Sequence, residues 1–144
     1  MLTPSKKGQY ALRALYELAR RIDDGPTKIS TIADAQKIPR RFLEVILHQL
    51  KGSGIVTSKR GFYGGYILAK QPRQVTVGDV LRYVEKDLDA QRCVACVTQS
   101  ICPFFDECAF SSLWEKVKTA TLKIYDETTI QDILDSNEPA ITME

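Results

Sequence analysis

The chain has 144 residues, of which 44% are hydrophobic and 26% are charged, which suits one domain and excludes a large multidomain enzyme. No uncharged run approaches the roughly 20 residues of a membrane helix, and the N-terminus lacks the apolar core of a signal peptide, so we expect a soluble, cytoplasmic protein. The formal net charge of +2 conceals an asymmetry, because residues 1–75 hold 14 Lys and Arg against 5 Asp and Glu, and residues 76–144 hold 6 against 13.

The basic half of the chain indicates a polyanionic partner. Contacts with phosphates release counterions, and the summed positive field steers association. Nucleic acid and a membrane surface both fit this charge pattern. The acidic tail at 135–144 contains Pro139 and is expected to be loose.

The first two helices are predicted from apolar spacing and from breakers. Helix one should run roughly from Ser5 to Ile22 and end at the breakers Asp23-Asp24-Gly25-Pro26. Ser30 or Thr31 is expected to cap a short second helix that continues through Gln36.

The third helix is predicted to begin near Pro39, since proline suits the first helical turn, and to end at Gly52 or Gly54. Its apolar stripe has the spacing i, i+3, i+4 and i+7 and consists of Leu43, Ile46, Leu47 and Leu50. The opposite, polar face consists of Arg41, Glu44, His48 and Lys51.

A β-hairpin is predicted next. The β-prone runs Ile55–Ser58 and Tyr66–Ala69 flank Lys59–Gly65, which is rich in glycine and carries two cations. Helix, short helix, turn, helix and basic hairpin is the order of a winged helix-turn-helix. We therefore predict a mainly α fold with a small hairpin wing.

The acidic half is predicted to contain three further helices. Their starts are expected at three capping pairs, namely Thr76 with Asp79, Ser112 with Glu115, and Thr128 with Gln131. The middle helix has an apolar stripe that one chain of this size covers poorly, formed by Leu113, Val117, Ala120 and Ile124. A homodimer is the simplest way to bury this stripe.

The start of the third helix carries the side chains that favour base recognition. Arg40 and Arg41 are suited to guanine edges and Glu44 to cytosine N4, and the N-terminal residues of a recognition helix are those that reach bases. The only histidine, His48, is expected to contact phosphate or solvent, since no partners for catalysis lie at suitable spacing. The predicted DNA-binding set is Thr31, Arg40, Arg41, Glu44, His48, Lys59 and Arg60.

All four cysteines lie within 16 residues, in the pattern C-x2-C-x5-C-x5-C, as Cys93, Cys96, Cys102 and Cys108. An iron–sulfur cluster needs three or four thiolates from an irregular loop, and these spacings suit it best. Structural zinc usually uses two close pairs, whereas only Cys93 and Cys96 are a close pair here. A disulfide switch is the third interpretation.

The chain resembles the Rrf-type winged-helix transcriptional regulators, the family that includes IscR, NsrR and CymR, and it is most similar to the cluster-binding branch. The resemblance covers nearly the whole chain, and Gly61-x-x-Gly64-Gly65-Tyr66 in the wing is its most specific part. It rests on Tyr10–Leu15, Ile32-Ala33, Phe42–Glu44, Leu50, Ser58–Ala69 and Val75–Val80.

The resemblance implies a dimer with a long C-terminal helix that crosses the partner. It also implies that Cys96, Cys102 and Cys108 hold the cluster, while Glu44 takes part in sequence choice and Arg60 enters the minor groove. The chain departs from the family at the fourth ligand, because Ser111 and Gln9 occupy the positions where relatives carry a histidine or an acid. Cys93 is the candidate for the missing ligand.

The sequence therefore predicts a homodimeric regulator, not an enzyme, that binds double-stranded operator DNA and no membrane. Its sensor is a 2Fe–2S or 4Fe–4S cluster that responds to redox state, iron or nitric oxide. The alternative is a thiol-switch or zinc-stabilised protein without a cluster. The predicted regions are a winged helix-turn-helix at 1–75, a sensor loop with dimerisation helices at 76–134, and a loose acidic tail at 135–144.

Overall fold

A computed structural model of the chain describes residues 4–85, 88, 104 and 107–137. Within these residues the fold is mainly helical with one antiparallel hairpin, as predicted. None of the helices in these ranges is long and apolar enough to cross a membrane. The elements are α1 (Lys6–Arg20), α2 (Ile29–Gln36), α3 (Arg40–Ser53), β1 (Val56–Lys59), β2 (Gly65–Leu68), α4 (Val77–Val84), α5 (Ser111–Glu127) and α6 (Ile130–Ser136).

The hydrophobic core lies between α1, α2 and α3 and is closed by α4, the hairpin and α6. The entire apolar stripe predicted for α3 is buried, with each of its four side chains at most 1% exposed. Val80 and Val84 of α4 and Ile130 of α6 join the same core. The core thus draws on side chains from both sides of residue 75, and burial of its apolar surface is the main source of stability.

Helix α3 begins and ends close to where the sequence predicts. Pro39 is its N-cap, and Gly54 ends it in the left-handed conformation with a φ of 81°. The Gly54 N–H donates to the Lys51 carbonyl at 3.2 Å. Of the two glycines proposed as the stop, Gly54 is therefore the one that ends the helix, since glycine adopts this conformation without a Cβ penalty.

The predicted cap of α2 is wrong. Lys28 is the N-cap residue and makes no side-chain capping bond, so Ser30 and Thr31 lie inside the first turn. The reason is tertiary: the neighbouring Thr27 pairs with Tyr66 through two backbone hydrogen bonds of 2.8 Å. This pairing fixes the entry of the chain and starts the helix early.

The predicted starts of α5 and α6 are also wrong in detail. Phe110 is the N-cap of α5 and makes no side-chain capping bond, so Ser112 and Glu115 form no capping box. The box at α6 consists of Thr129 with Asp132, one residue beyond the predicted pair. The Thr128 carbonyl instead accepts the Val77 N–H at 2.8 Å, which ties the start of α6 to the start of α4.

Helix α4 begins as predicted, with the Thr76 hydroxyl and the Asp79 carboxylate in a reciprocal capping box. Helix α1 is also close to its prediction, since the Ser5 side chain caps it and Ile22 lies in a short 3-10 turn beyond its end. At the C-terminus α6 continues through Ser136. The predicted tail thus begins inside a helix, and its residues 138–144 lie outside the described ranges.

The hairpin pairs Val56 with Leu68 and Lys59 with Gly65 at its two ends. β1 begins and ends one residue later than predicted, and β2 one residue earlier. Gly65 is required there, because its φ is 154° and a Cβ would overlap the Thr27 carbonyl. The wing is consequently anchored to the chain that precedes α2.

Candidate nucleic-acid interface and cysteine segment

The outer face of α3 presents four of the predicted DNA-binding side chains to solvent. Arg40, Arg41, Glu44 and His48 are all exposed. None of the four makes a side-chain hydrogen bond or ion pair with another residue in the described ranges. Their polar groups are therefore available to a partner.

The turn between α2 and α3 sets the direction of this face. Lys37 adopts the left-handed conformation with a φ of 54°, and the next residue, Ile38, is buried and donates its N–H to the Ala33 carbonyl at 3.0 Å. The turn is thus held by a hydrogen bond and by a side chain in the core. Thr31 lies on α2, half-buried, and not on the outer face of α3.

The wing carries the remaining two predicted residues. Lys59 is the last residue of β1 and Arg60 follows it, and both side chains are exposed and make no hydrogen bond or ion pair with a described residue. Gly61 has a φ of 111°, a value that favours glycine. The structure thus places two free cations beside a sharp turn.

Sequence reasoning missed three exposed residues of the basic region, Phe62, Tyr63 and Lys28. Phe62 and Tyr63 are 79% and 86% exposed at the tip of the wing, and the Lys28 ammonium lies 5.1 Å from the centre of the Phe62 ring. The available signal was an aromatic pair inside a glycine-rich turn, where polar residues are usual.

The cysteine segment, residues 86–110 between α4 and α5, lies mostly outside the described residues. Cys93, Cys96 and Cys102 are not among them, so the predicted ligand set stays a prediction. Cys108 is half-buried, and its carbonyl accepts the N–H of Ser111, the first residue of α5, at 3.2 Å. In the described ranges no group of three His, Cys, Asp or Glu side chains is arranged to hold a metal ion.

The segment follows Glu85, the C-cap of α4. The Glu85 carboxylate accepts the backbone N–H of Ser5 at 2.5 Å, and it packs so closely on Gly8 that a Cβ there would overlap it. Partial burial, reinforced by the Glu85 charge, raises the pKa of Tyr125 on α5. The base of the cysteine segment is therefore in contact with α1 and near α5.

Helix α4 connects this base to α3 and to α5. The Gln49 amide of α3 donates to the Tyr83 carbonyl at 3.3 Å. On the other side Arg82 forms a bidentate ion pair with Asp126, with one N–O distance of 2.9 Å. The hydrogen bond from Arg82 lowers the pKa of Asp126.

Comparison with known proteins identifies the family. The model of the Rrf2 family, described as an iron-dependent transcriptional regulator, matches residues 4–136. The chain belongs to the Rrf2 family. It is 32% identical over 129 residues to the HTH-type transcriptional regulator CymR of Bacillus subtilis, covering 90% of this chain and 87% of the relative.

Two solved structures agree with this assignment. IscR of T. potens is 33% identical with a TM-score of 0.77, over 99% of this chain and 93% of that one. CymR of B. subtilis, described as a global cysteine regulator, is 32% identical with a TM-score of 0.76, over 96% and 100%. This Rrf2-family chain is thus a DNA-binding transcription regulator with a winged-helix fold, and the relatives are regulators and not enzymes.

Proposed function

We propose that the chain acts as a homodimer on a two-fold operator, with α3 in the major groove and the wing on the adjacent minor groove. The observation that carries this proposal is the outer face of α3, where Arg40, Arg41 and Glu44 are exposed and unpaired among the described residues. Arginine at the start of a recognition helix can bind guanine O6 and N7 together, and glutamate accepts from cytosine N4.

The dimer proposal is supported by α5. This helix has 17 residues, none of them buried, and Leu113 and Ile124 of its predicted stripe are 47% and 62% exposed. Trp114 is half-buried, with its ring 6.3 Å from that of Phe110. A helix of this length needs a packed face for stability, and the same face of a second copy supplies one by two-fold symmetry.

The proposed DNA contacts are tested with operators recovered from randomised duplexes. Arg41→Ala should weaken binding to the recovered operator by about 1–3 kcal/mol and leave random DNA almost unaffected. Glu44→Ala should broaden the recovered sequences more than it lowers affinity, because a carboxylate repels phosphates. Lys123→Ala on α5 removes one charge elsewhere and serves as the control.

Two results contradict these assignments. If Arg41→Ala weakens operator and random duplexes equally, Arg41 contacts phosphate and does not read a base. If Glu44→Ala selects the same sequences as the unaltered protein, Glu44 has no part in sequence choice. Recovery of half-sites about 10 base pairs apart, or a multiple of that, supports the two-fold dimer.

The sensor proposal is an iron–sulfur cluster held by Cys96, Cys102 and Cys108, with Cys93 as the fourth ligand. The donor set fits, because three thiolates with five residues between successive cysteines can reach different irons and Cys108 lies half-buried at the approach to α5. A bound cluster supplies iron whose oxidation state and retention respond to redox signals. The family model's description as iron-dependent agrees with this proposal.

The chain offers a route from this segment to DNA. Glu85 joins the base of the segment to α1, and the Gln49 amide joins α3 to the Tyr83 carbonyl of α4. Two arrangements of the segment that place α4 differently would tilt α3 differently. A signal then shifts operator affinity by favouring one arrangement over the other.

A thiol switch without metal is the second candidate, supported by four cysteines within 16 residues, which can exchange disulfides. Anaerobic reconstitution with iron and sulfide separates the two, since a cluster gives visible absorption and matching iron and sulfide counts. Cys96→Ala, Cys102→Ala and Cys108→Ala should each abolish the absorption. Cys93→Ala should make the cluster labile.

Other results would contradict the cluster proposal or support the thiol switch. Protein that stays colourless after reconstitution, or that binds one zinc per chain instead, overturns the cluster proposal. Reversible loss of operator binding on oxidation, with loss of titratable thiols and no metal present, establishes the thiol switch. An unchanged spectrum and oxygen sensitivity in Cys93→Ala assigns the fourth ligand to another group.

A further inference from the structure

The tip of the wing is built from two aromatic residues. The Gly64 N–H donates to the Gly61 carbonyl at 3.0 Å, so Phe62 and Tyr63 are the two central residues of a β-turn. Their rings meet edge to face, with 5.0 Å between the centroids and an interplanar angle of 86°. The wing therefore ends in a small aromatic surface.

The fold itself gives no reason for this surface. Turn centres usually hold glycine, proline, asparagine or aspartate, and neither Phe62 nor Tyr63 has the positive φ that would demand a special residue. Both side chains are more than three-quarters exposed. Large apolar groups stabilise a structure mainly where they leave water, so these two exposed rings add little to the stability of the fold.

The charges around the tip favour nucleic acid as the surface that covers it. Lys28 lies over Phe62, and Lys59 and Arg60 stand on the strand side of the same turn, exposed. The described residues of the wing, 56–68, include no acidic side chain. Aromatic rings interleaved with cations are the combination that contacts bases and phosphates together.

The tip is also held in place before binding. The Thr27 and Tyr66 backbone groups exchange two hydrogen bonds of 2.8 Å, and a Cβ on Gly64 or Gly65 would overlap backbone atoms of the wing or of Thr27. A rigid tip loses little conformational entropy when it binds. A restrained backbone beneath the tip is suited to presenting these two side chains to a partner surface.

We propose that Phe62 and Tyr63 form an apolar wedge that enters the minor groove beside each half-site and partly unstacks one base step. Such wedges act most easily at pyrimidine–purine steps, since TA and CA steps unstack and kink at low energy. The wing would then read the deformability of the flanking DNA, in addition to any phosphate contacts of Lys59 and Arg60. This inference rests on the proposed operator binding.

The test uses the full chain and an operator recovered from randomised duplexes. Two versions of this operator are compared, one flanked by a TA step and the other by a rigid A-tract. A double variant, Phe62→Ala with Tyr63→Ala, should lose roughly tenfold in affinity on the TA flank and little on the A-tract. A 2-aminopurine base at the step should brighten with the unaltered protein and stay dark with the variant. Phe62→Leu, which keeps an apolar wedge, should retain most of the effect.

Four measurements decide whether the wedge proposal fails, and whether operator binding fails with it. An equal loss on both flanks, or no loss at all, overturns the wedge while leaving operator binding intact. If the double variant binds DNA normally but loses transcriptional control in cells, the aromatic surface binds a protein partner and the wedge proposal is wrong. If the unaltered protein recovers no sequence, operator binding fails and the wedge falls with it. Thermal melting of the variants, expected to be unchanged, excludes misfolding.

Discussion

The region around α3 and the helix α5 differ in what covers their apolar side chains. On α3 the four residues of the stripe are at most 1% exposed, because α1, α2 and α4 pack against it. On α5 no residue is buried, and Ile124 is 62% exposed. Both helices are amphipathic in sequence, but the described chain buries the apolar stripe of α3 completely and leaves Leu113 and Ile124 of the α5 stripe exposed.

This difference in burial suits the two helices to different roles. A helix whose inner face is locked in a core can present its outer face in one orientation, as base recognition requires. A helix whose apolar face is left open is suited to a second copy of the chain. Variants on α3, on α5 and at the contact between α4 and α5 test this difference, from the largest expected effect to the smallest.

Leu47→Ala should destabilise the fold by about 2–5 kcal/mol, because it leaves a cavity at a side chain that is 0% exposed. Chemical denaturation measures this loss. Leu113→Ala on α5 is the matched control and should change the stability of dilute protein by less than about 1 kcal/mol. Similar losses for both variants at low concentration would mean that α5 is already buried within one chain.

Ile124→Asp should dissociate the proposed dimer. A charge placed in an apolar interface should raise the dissociation constant by at least about 30-fold, the range of an interface hot spot. Analytical ultracentrifugation across a dilution series measures it, with Lys123→Ala at the neighbouring exposed position as control. A variant that remains dimeric at high dilution excludes this face of α5 as the interface.

Glu17→Gln should lower stability by about 1–2 kcal/mol at neutral pH. Burial acts to raise the pKa of Glu17, but hydrogen bonds from Arg20 and Arg21 outweigh it and hold the pKa below the usual 4.5. The carboxylate therefore stabilises the fold above that value, and its contribution is lost as the pH falls through the lowered pKa.

Denaturation of both proteins between pH 3 and pH 7 (a range set by the ordinary carboxyl pKa values of about 4) checks this expectation. The two stabilities should converge at the acid end. Glu44→Gln, on the exposed face of α3, is the control and should stay within about 0.5 kcal/mol of the unaltered protein throughout. If the difference in stability between Glu17→Gln and the unaltered protein is the same at every pH, the loss comes from the changed shape of the side chain and not from its charge.

The smallest effect is expected at the link between the two regions. Arg82 and Asp126 are 34% and 44% exposed, so a double-mutant cycle with Arg82→Ala and Asp126→Ala should give less than about 1 kcal/mol. Arg82 lowers the pKa of Asp126 below its usual 3.8, so this coupling should be lost as the pH falls through that lowered pKa. A larger coupling energy would show that this ion pair holds α4 and α5 together more strongly than an exposed pair does.

Much of the basic half could be predicted because its signals are local. The stripe from Leu43 to Leu50 repeats at helical spacing, and Gly54 and Pro39 act through their own backbone preferences. The wing follows from two β-prone runs around glycines. Such features need no knowledge of distant residues, and the mainly α fold with a hairpin wing was correct for this reason.

The incorrect predictions concern helix starts that are set by contacts with residues distant in sequence. Thr31 has the chemistry of a cap, but the pairing of Thr27 with Tyr66 starts α2 before it. Thr128 precedes the actual capping residue, because its carbonyl accepts the Val77 N–H. Side chains that can cap are common, and the tertiary contacts select which one does.

The family, the charge asymmetry and the cysteine pattern can be recognised without a structure, since they depend only on the identity and order of residues. The tertiary structure decided which side chains are free: Arg41 and Glu44 face solvent, whereas Glu17 is enclosed beside Arg20 and Arg21. It also placed Phe62 and Tyr63 at the tip of the wing, since exposure depends on how the whole chain packs and not on the local pattern.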